Sequence, residues 1–303
     1  MTSRLPKVLV AVTAMAAAWP VRAEVSVDAP AWRVTHRTSL SGRLNPRGLS
    51  LETRLALNRR LYASDAAAGR DNFVSVGLVP IVTPATLRLG LLAELQPASF
   101  LNLSALAEGV RYLGSFRQMA SFPTATSAYG DGVLRGLADE GVLYATNGRR
   151  CTLTATLMLR SGPLALRNQS RFIRSSAALR AGDRFFYDAL NDLLVVNGGW
   201  AAANDLDLGW KGEGLSAGLR WGSAKAFYGD DAFEHGEDRS RAPGTLHRLG
   251  PLVTRTWTRA GGGETTLLGH VGWWLANPNR TGQESSALLP MVQVGLTMTG
   301  PVR

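Results

Sequence analysis

Apolar and polar residues alternate one by one along most of this chain. That is the period that sends successive side chains to opposite faces of a β-strand. The clearest run is Leu49 to Leu61: Leu49, Leu51, Thr53, Leu55, Leu57 and Leu61 share one face, and Ser50, Glu52, Arg54, Ala56, Asn58 and Arg60 the other. Arg59 falls on the apolar face at the end of this run, where a long stem can lie along an apolar surface with its charge in water. The same period recurs where Trp32, Val34 and Leu40 alternate with Arg33, Thr35 and Arg37, and where Leu87 to Leu95 alternate with Arg88 and Glu94. Leu101 to Ala107 alternate with Asn102, Ser104 and Glu108, Leu153 to Leu159 with threonines and Arg160, Leu215 to Trp221 with Ser216 and Arg220, and Val292 to Met298 with Gln293 and Thr297. Segments 73–82, 164–175, 193–203, 247–258 and 265–276 follow the period less cleanly, and the last is apolar on both faces. Together they predict about 12 strands.

The connections fall into two classes. Those spanning 114–150, 176–192, 225–246 and 277–286 are long and leave the fifth, seventh, ninth and eleventh strands. Gln96 to Ser99, Ser161 to Pro163 and Ala260 to Gly263 are short and leave the fourth, sixth and tenth. Long and short connections therefore alternate between the two ends of an antiparallel sheet. The turn at 63–72 and the short links around Asn45 and Thr83 depart from that rule. No fixed-period repeat is visible, which argues against a propeller or solenoid, and no linker divides 24–303, so a single domain is expected there.

A soluble sandwich also alternates, with its apolar face inward. Two features favour lipid. The apolar faces are rich in leucine while the opposite faces carry Arg, Ser, Thr and Gly, and the runs often reach ten residues or more against the five or six usual in soluble sheets. The beginning of the chain reads as a cleaved signal peptide over 1–23: Arg4 and Lys7, the apolar run Val8–Trp19, then Val21-Arg22-Ala23 with small residues at −3 and −1. A hydrophobic fraction of 45% with only 18% charged residues excludes a disordered chain. The net charge of +10 points to anionic lipid or an anionic solute, since export makes nucleic acid the poorest fit. Cys151 is the only cysteine, so no internal disulfide forms.

A signal peptide, alternating strands and one-sided long loops together resemble the outer-membrane β-barrels of Gram-negative bacteria, a porin-like class, over nearly the whole of 24–303. The resemblance implies an all-β fold, a closed antiparallel transmembrane barrel of about 12 strands, in contact with outer-membrane lipid. Barrels of this class commonly close on an aromatic residue, whereas here the last strand is followed by Gly300-Pro301-Val302-Arg303.

With the leucine faces in lipid, the other faces line a lumen. Candidate pore-lining residues are then Arg33, Arg37, Arg54, Arg60, Arg88, Arg160, Arg167, Arg171 and Arg220, with Glu52, Glu94 and Glu108 as the acids on the same faces. Three carboxylates cannot pair nine arginines, so a lumen that favours small anionic solutes is expected. Twelve strands lie between the filled eight-stranded barrel and the wide porins, so the channel should be narrow or partly plugged, with 114–150 as the loop to fold inward. Two other readings stand beside this one. A closed structural or surface-binding barrel would act through loops 114–150 and 225–246, and a membrane hydrolase would use His36 or His270. No histidine has a serine two residues away on its own strand face, and no metal or cofactor motif is present, so catalysis is not expected. The acidic run Asp230 to Asp238 reads as a solvated loop and not a Ca²⁺ site, because its spacing does not match the EF-hand. Trp32, Trp200, Trp210, Trp221, Trp257, Trp273 and Trp274 read as aromatic girdles. Nothing in the sequence sets the oligomeric state.

Overall fold

The computed structural model describes residues 32–302 except 117 and 261, and the expected signal peptide lies outside the described residues. The strands, in chain order, are β1 (Trp32–Leu44), β2 (Gly48–Arg59), β3 (Phe73–Val82), β4 (Thr86–Ala98), β5 (Leu101–Tyr112), β6 (Ser121–Phe122), β7 (Thr146–Ser161), β8 (Leu164–Ala177), β9 (Phe185–Asp188), β10 (Leu193–Val196), β11 (Trp200–Lys211), β12 (Leu215–Ala226), β13 (Leu246–Thr258), β14 (Glu264–Ala276) and β15 (Met291–Pro301). Among the described residues one α-helix, α1, spans Asp131–Asp139. Twelve of the strands form a closed antiparallel barrel, which β15 completes by pairing with β1; β6, β9 and β10 form a separate three-stranded sheet.

Closure leaves the barrel strands with no free edge. They run from 10 to 16 residues. At about 3.3 Å per residue and a tilt near 40°, that crosses an apolar band of about 25 Å. The leucine faces point outward, away from any protein: Leu89, Leu91 and Leu208 keep 61%, 66% and 58% of their surface exposed. A soluble protein would bury that surface. Lipid is the medium in which such a wall, with polar side chains enclosed and apolar ones displayed, is stable, and the molecule is an outer-membrane β-barrel. Trp32, Trp210 and Trp257 sit at the short-turn end of the outer face and Trp200 and Trp273 toward the other, as girdles do. Arg59 and Arg255 lie at the short-turn end over Trp32 and Trp257, 5.4 Å from each ring centre. Trp274 departs from the expectation: it turns inward and is buried against the loops, because β14 packs on protein on one side and lipid on the other.

The long connections 113–145, 178–199, 227–245 and 277–290 all lie at one end, which also carries the short links 45–47 and 83–85; the short turns after β4, β7, β11 and β13, the 60–72 connection and both ends of the barrel chain lie at the other. By the rule for this class, the loop end is external.

One strand is misplaced by the alternation. The eighth wall strand is β11, starting at Trp200, and not 193–203. Leu193–Val196 belongs to a hairpin with β9 inside the loop assembly, where both of its faces are packed; that is why it reads as apolar throughout. The sixth wall strand also begins earlier than the pattern suggests, at Thr146.

Candidate functional site

All twelve candidate lumen residues occupy inward-facing positions; the interior is built in three tiers, and the twelve fall in the middle and inner ones, with Arg160 at the rim.

The external tier is a plug. In the β9–β10 hairpin, Phe186, Leu193 and Val195 face the barrel wall. They pack on Ala201 and Ala203 of β11 and Ala224 and Ala226 of β12, with Ile173, Leu246, Trp274 and Met291 around them. Four alanines on adjacent strands leave the room that the hairpin fills. Its other face, Phe185, Tyr187 and Leu194, packs on Phe122, Tyr129 and Leu134 from the 113–145 loop. In that loop Phe122 and Tyr129 are buried, whereas Phe116 is 72% exposed.

Polar anchors fix the hairpin. Arg280, only 2% exposed, donates from Nε and Nη2 to Asp192 (2.7 and 3.1 Å), from Nη1 and Nη2 to Asp131 (3.0 and 3.2 Å), and from Nη1 to Asn45 (2.9 Å). All five donors of the guanidinium are used, and four connections are tied at one point. Asp192 also accepts from Tyr187 Oη (2.8 Å) and Asn277 Nδ2 (2.9 Å). Burial by itself raises the Asp192 carboxyl pKa, but the Arg280 hydrogen bonds and charge outweigh it and hold it below the usual range. Asp188 behaves alike: burial is outweighed by the Arg150 charge and by bonds from Asn191 and the Leu190 amide. Arg150 reaches Asp188 from β7 (3.2 Å), and Arg43 donates from β1 to the carbonyls of Ala189 (2.7 Å) and Leu190 (2.9 Å).

The middle tier is a set of ion pairs. Asp207 lies directly between Arg167 and Arg220 on one rung and accepts from both, at 3.2 Å and at 2.6 and 2.8 Å. Asp205 takes Arg171 (2.6 Å) and Arg248 (2.8 Å). Gly222 permits the second contact, since a Cβ there would meet the Arg248 guanidinium. Across the lumen Arg88 pairs with Glu108 (3.1 Å) and Arg54 with Glu52 (2.7 Å). Buried polar atoms in this tier, among them Arg171 Nε, Arg248 Nε and both ring nitrogens of His270, have no protein partner. In an enclosed polar space such groups are met by water.

The inner tier is a vestibule open toward the short-turn end, a cavity of about 530 Å³ lined by Arg33, Arg37, Arg54, Arg60, Arg70 and Glu94 among others. Arg33 and Arg37 have no ion-pair partner among the described residues. Glu94 accepts from Asn102 (2.7 Å). Arg160 stands apart, at the rim, bonded to the Gly162 carbonyl (2.9 Å).

Two expectations about chemistry can be placed. His36 and Thr38 sit on the outer, lipid-facing side of β1, while His270 is inward and 1% exposed. The acidic run 230–238 is engaged internally: Glu237 accepts from Thr126 Oγ1 (2.6 Å) and Asp230 pairs with Arg239 (2.6 Å).

Sequence reasoning missed Asp205, Asp207 and Arg248 in the ion-pair tier and Arg43, Arg150, Asp188, Asp192 and Arg280 in the plug. Asp205 and Asp207 were legible: Leu206, Leu208 and Trp210 alternate with them, and starting the strand at Trp200 brings both into the lumen. They correct the ratio of nine arginines to three acids, because three of the nine, Arg167, Arg171 and Arg220, are neutralised in place by these two aspartates.

No family model matches this chain, and no curated protein matches it. Among solved structures, the β-domain of the Bordetella autotransporter Brka is similar over 89% of this chain and 99% of that one, at 12% identity and a TM-score of 0.45. OccAB1 of Acinetobacter baumannii is similar over 89% and 96%, at 7% identity and a TM-score of 0.40. The NanC porin is similar over 88% and 100%, at 7% identity and a TM-score of 0.36. Likeness at this level carries nothing about activity, which has to be read from the lumen itself.

Proposed function

We propose that this barrel is a narrow outer-membrane channel for small anions, held shut at its external end by its own loops. The observation that carries the reading is the vestibule: Arg33 and Arg37 stand without ion-pair partners beside Arg54 and Arg60 in a cavity open to one side of the membrane. Unpaired guanidinium groups in an enclosed, wet space favour anions over cations. Buried middle-tier groups without protein partners are consistent with water continuing inward from the vestibule. Beyond it the dry plug stops the path.

The test is recording in a planar bilayer from the intact protein and from a variant in which 180–197 is replaced by a short Gly-Ser link. The expected result is rare openings in the intact protein and frequent ones in the variant, with a reversal potential on the anion side in a salt gradient. Cation preference in the variant overturns the anion reading.

One observation favours a second reading. Both faces of the hairpin are packed and Arg280 locks four connections, so the external assembly has the build of a permanent cap. A closed barrel that works through that outer surface then follows. It predicts no conductance even after the hairpin is removed.

A further inference from the structure

Between its girdles the outer wall is apolar apart from His36, the Thr38–Thr53 pair on β1 and β2, whose hydroxyls bond each other (3.3 Å), and one patch that carries carboxamides. On β11 the outward face runs Trp200, Ala202, Asn204, Leu206, Leu208, Trp210, so two tryptophans bracket Asn204 on its own strand. The register places Ser170 of β8 and Ser223 of β12 on either side of Asn204, and Asn168 beside Leu206. Phe172 and Leu208, which share this face, are 52% and 58% exposed, so the face is the outer one. Charged side chains of the outer face, such as Arg59, Arg111, Arg149, Arg174, Lys225 and Arg255, lie at or near strand ends, where water and headgroups are within reach. Asn168 and Asn204 have no such outlet.

The two carboxamides bond each other reciprocally, Asn168 Nδ2 to Asn204 Oδ1 at 3.3 Å and Asn204 Nδ2 to Asn168 Oδ1 at 3.1 Å. Ser170 joins them, accepting from Asn204 Nδ2 at 2.9 Å and donating to Asn168 Oδ1 at 3.2 Å. That uses most of their capacity but not all of it. Asn168 keeps one N–H and Asn204 keeps one carbonyl lone pair, and hydrocarbon satisfies neither.

We infer that this patch is where a second copy of the barrel docks, related by a two-fold axis. A patch with one spare donor and one spare acceptor is self-complementary: the free Asn168 N–H of each copy meets the free Asn204 oxygen of the other, as a two-fold interface requires. Small neighbours, Ala155 of β7 beside Ser170 and Ala202 of β11, let two walls approach closely enough for those bonds. The inference does not depend on whether the lumen conducts.

The test is disulfide trapping in native membranes, with Cys151→Ser as background because Cys151 also faces outward. Ala202→Cys is expected to give an oxidised species of twice the barrel mass. Leu55→Cys, outward on β2 of the opposite wall, is expected to give none. Adding Asn168→Leu and Asn204→Leu should cut the yield of linked species about tenfold, as loss of two interfacial hydrogen bonds implies. Heat modifiability on a gel should persist, showing that the barrel still folds. Three results overturn the inference: no more linking from Ala202→Cys than from Leu55→Cys, an unchanged yield in the double-leucine variant, or a linked band whose mass is not twice that of the barrel.

Discussion

At the loop-bearing end of the lumen, Phe186, Leu193 and Val195 rest on a floor of alanines and exclude water; at the other end Arg33, Arg37, Arg54 and Arg60 stand around an open cavity. The same strands build both ends. What differs is which side chain each strand presents as it rises: β11 carries Asp205 and Asp207 in the middle and Ala203 and Ala201 toward the loops. A strand interior tolerates either content, because lipid on its outer face supplies the hydrophobic drive that a soluble sheet draws from its core. The lumen is thereby free to be dry in one half and charged in the other. The plug end, in contrast, behaves as a small soluble core and must satisfy a soluble core's rules, with apolar contacts on both hairpin faces and every buried charge paired.

That contrast can be broken in graded steps. The largest effect is expected from Arg280→Ala, which leaves Asp192 buried without its partner. Loss of one member of a buried pair costs about 3–5 kcal/mol, and here it falls on the plug and not on the barrel. Protease accessibility of 178–199 should rise sharply while the barrel keeps its heat-modifiable mobility; unchanged protection would show that the apolar faces alone hold the hairpin.

Acid should act on the same anchors less severely, because a protonated aspartate still hydrogen-bonds. Asp188 and Asp192 have lowered folded-state pKa values. Their contribution is therefore complete above the unfolded carboxylate value of about 3.9 and is lost as pH falls through the folded values. Channel opening or loop cleavage should be flat from neutral pH down to about 4 and rise below it. An onset near pH 6 would point to a different group.

Ala203→Leu fills the space that Phe186, Leu193 and Val195 occupy. Overpacking of this kind costs about 1–3 kcal/mol, and it should raise opening frequency without altering selectivity. The smallest effect on stability is expected from Arg33→Gln with Arg37→Gln, exposed to lumen water and unpaired, within about 0.5 kcal/mol. These substitutions should instead move the reversal potential toward zero in the hairpin-deleted protein. A shift in stability with no change in selectivity would remove Arg33 and Arg37 as the source of the proposed anion preference.

The alternation Leu49–Leu61 and its counterparts made the barrel legible, since a period of two with leucine on one side has few stable outcomes once loops alternate long and short. Inward arginines followed from parity alone. The plug did not: Leu193–Val196 carries no alternation, and Arg280 and Asp131 are 149 residues apart in sequence. Nothing local marks them as partners.

By itself, then, the order of residues determined which face of each strand meets hydrocarbon and which meets the interior, because that choice is made one residue at a time by burial. Only the tertiary structure decided how much of the interior charge is free. Pairing of Asp205 and Asp207 with arginines on three other strands, and the seating of a hairpin on four alanines, depend on register and closure, and those are properties of the assembled barrel rather than of any segment.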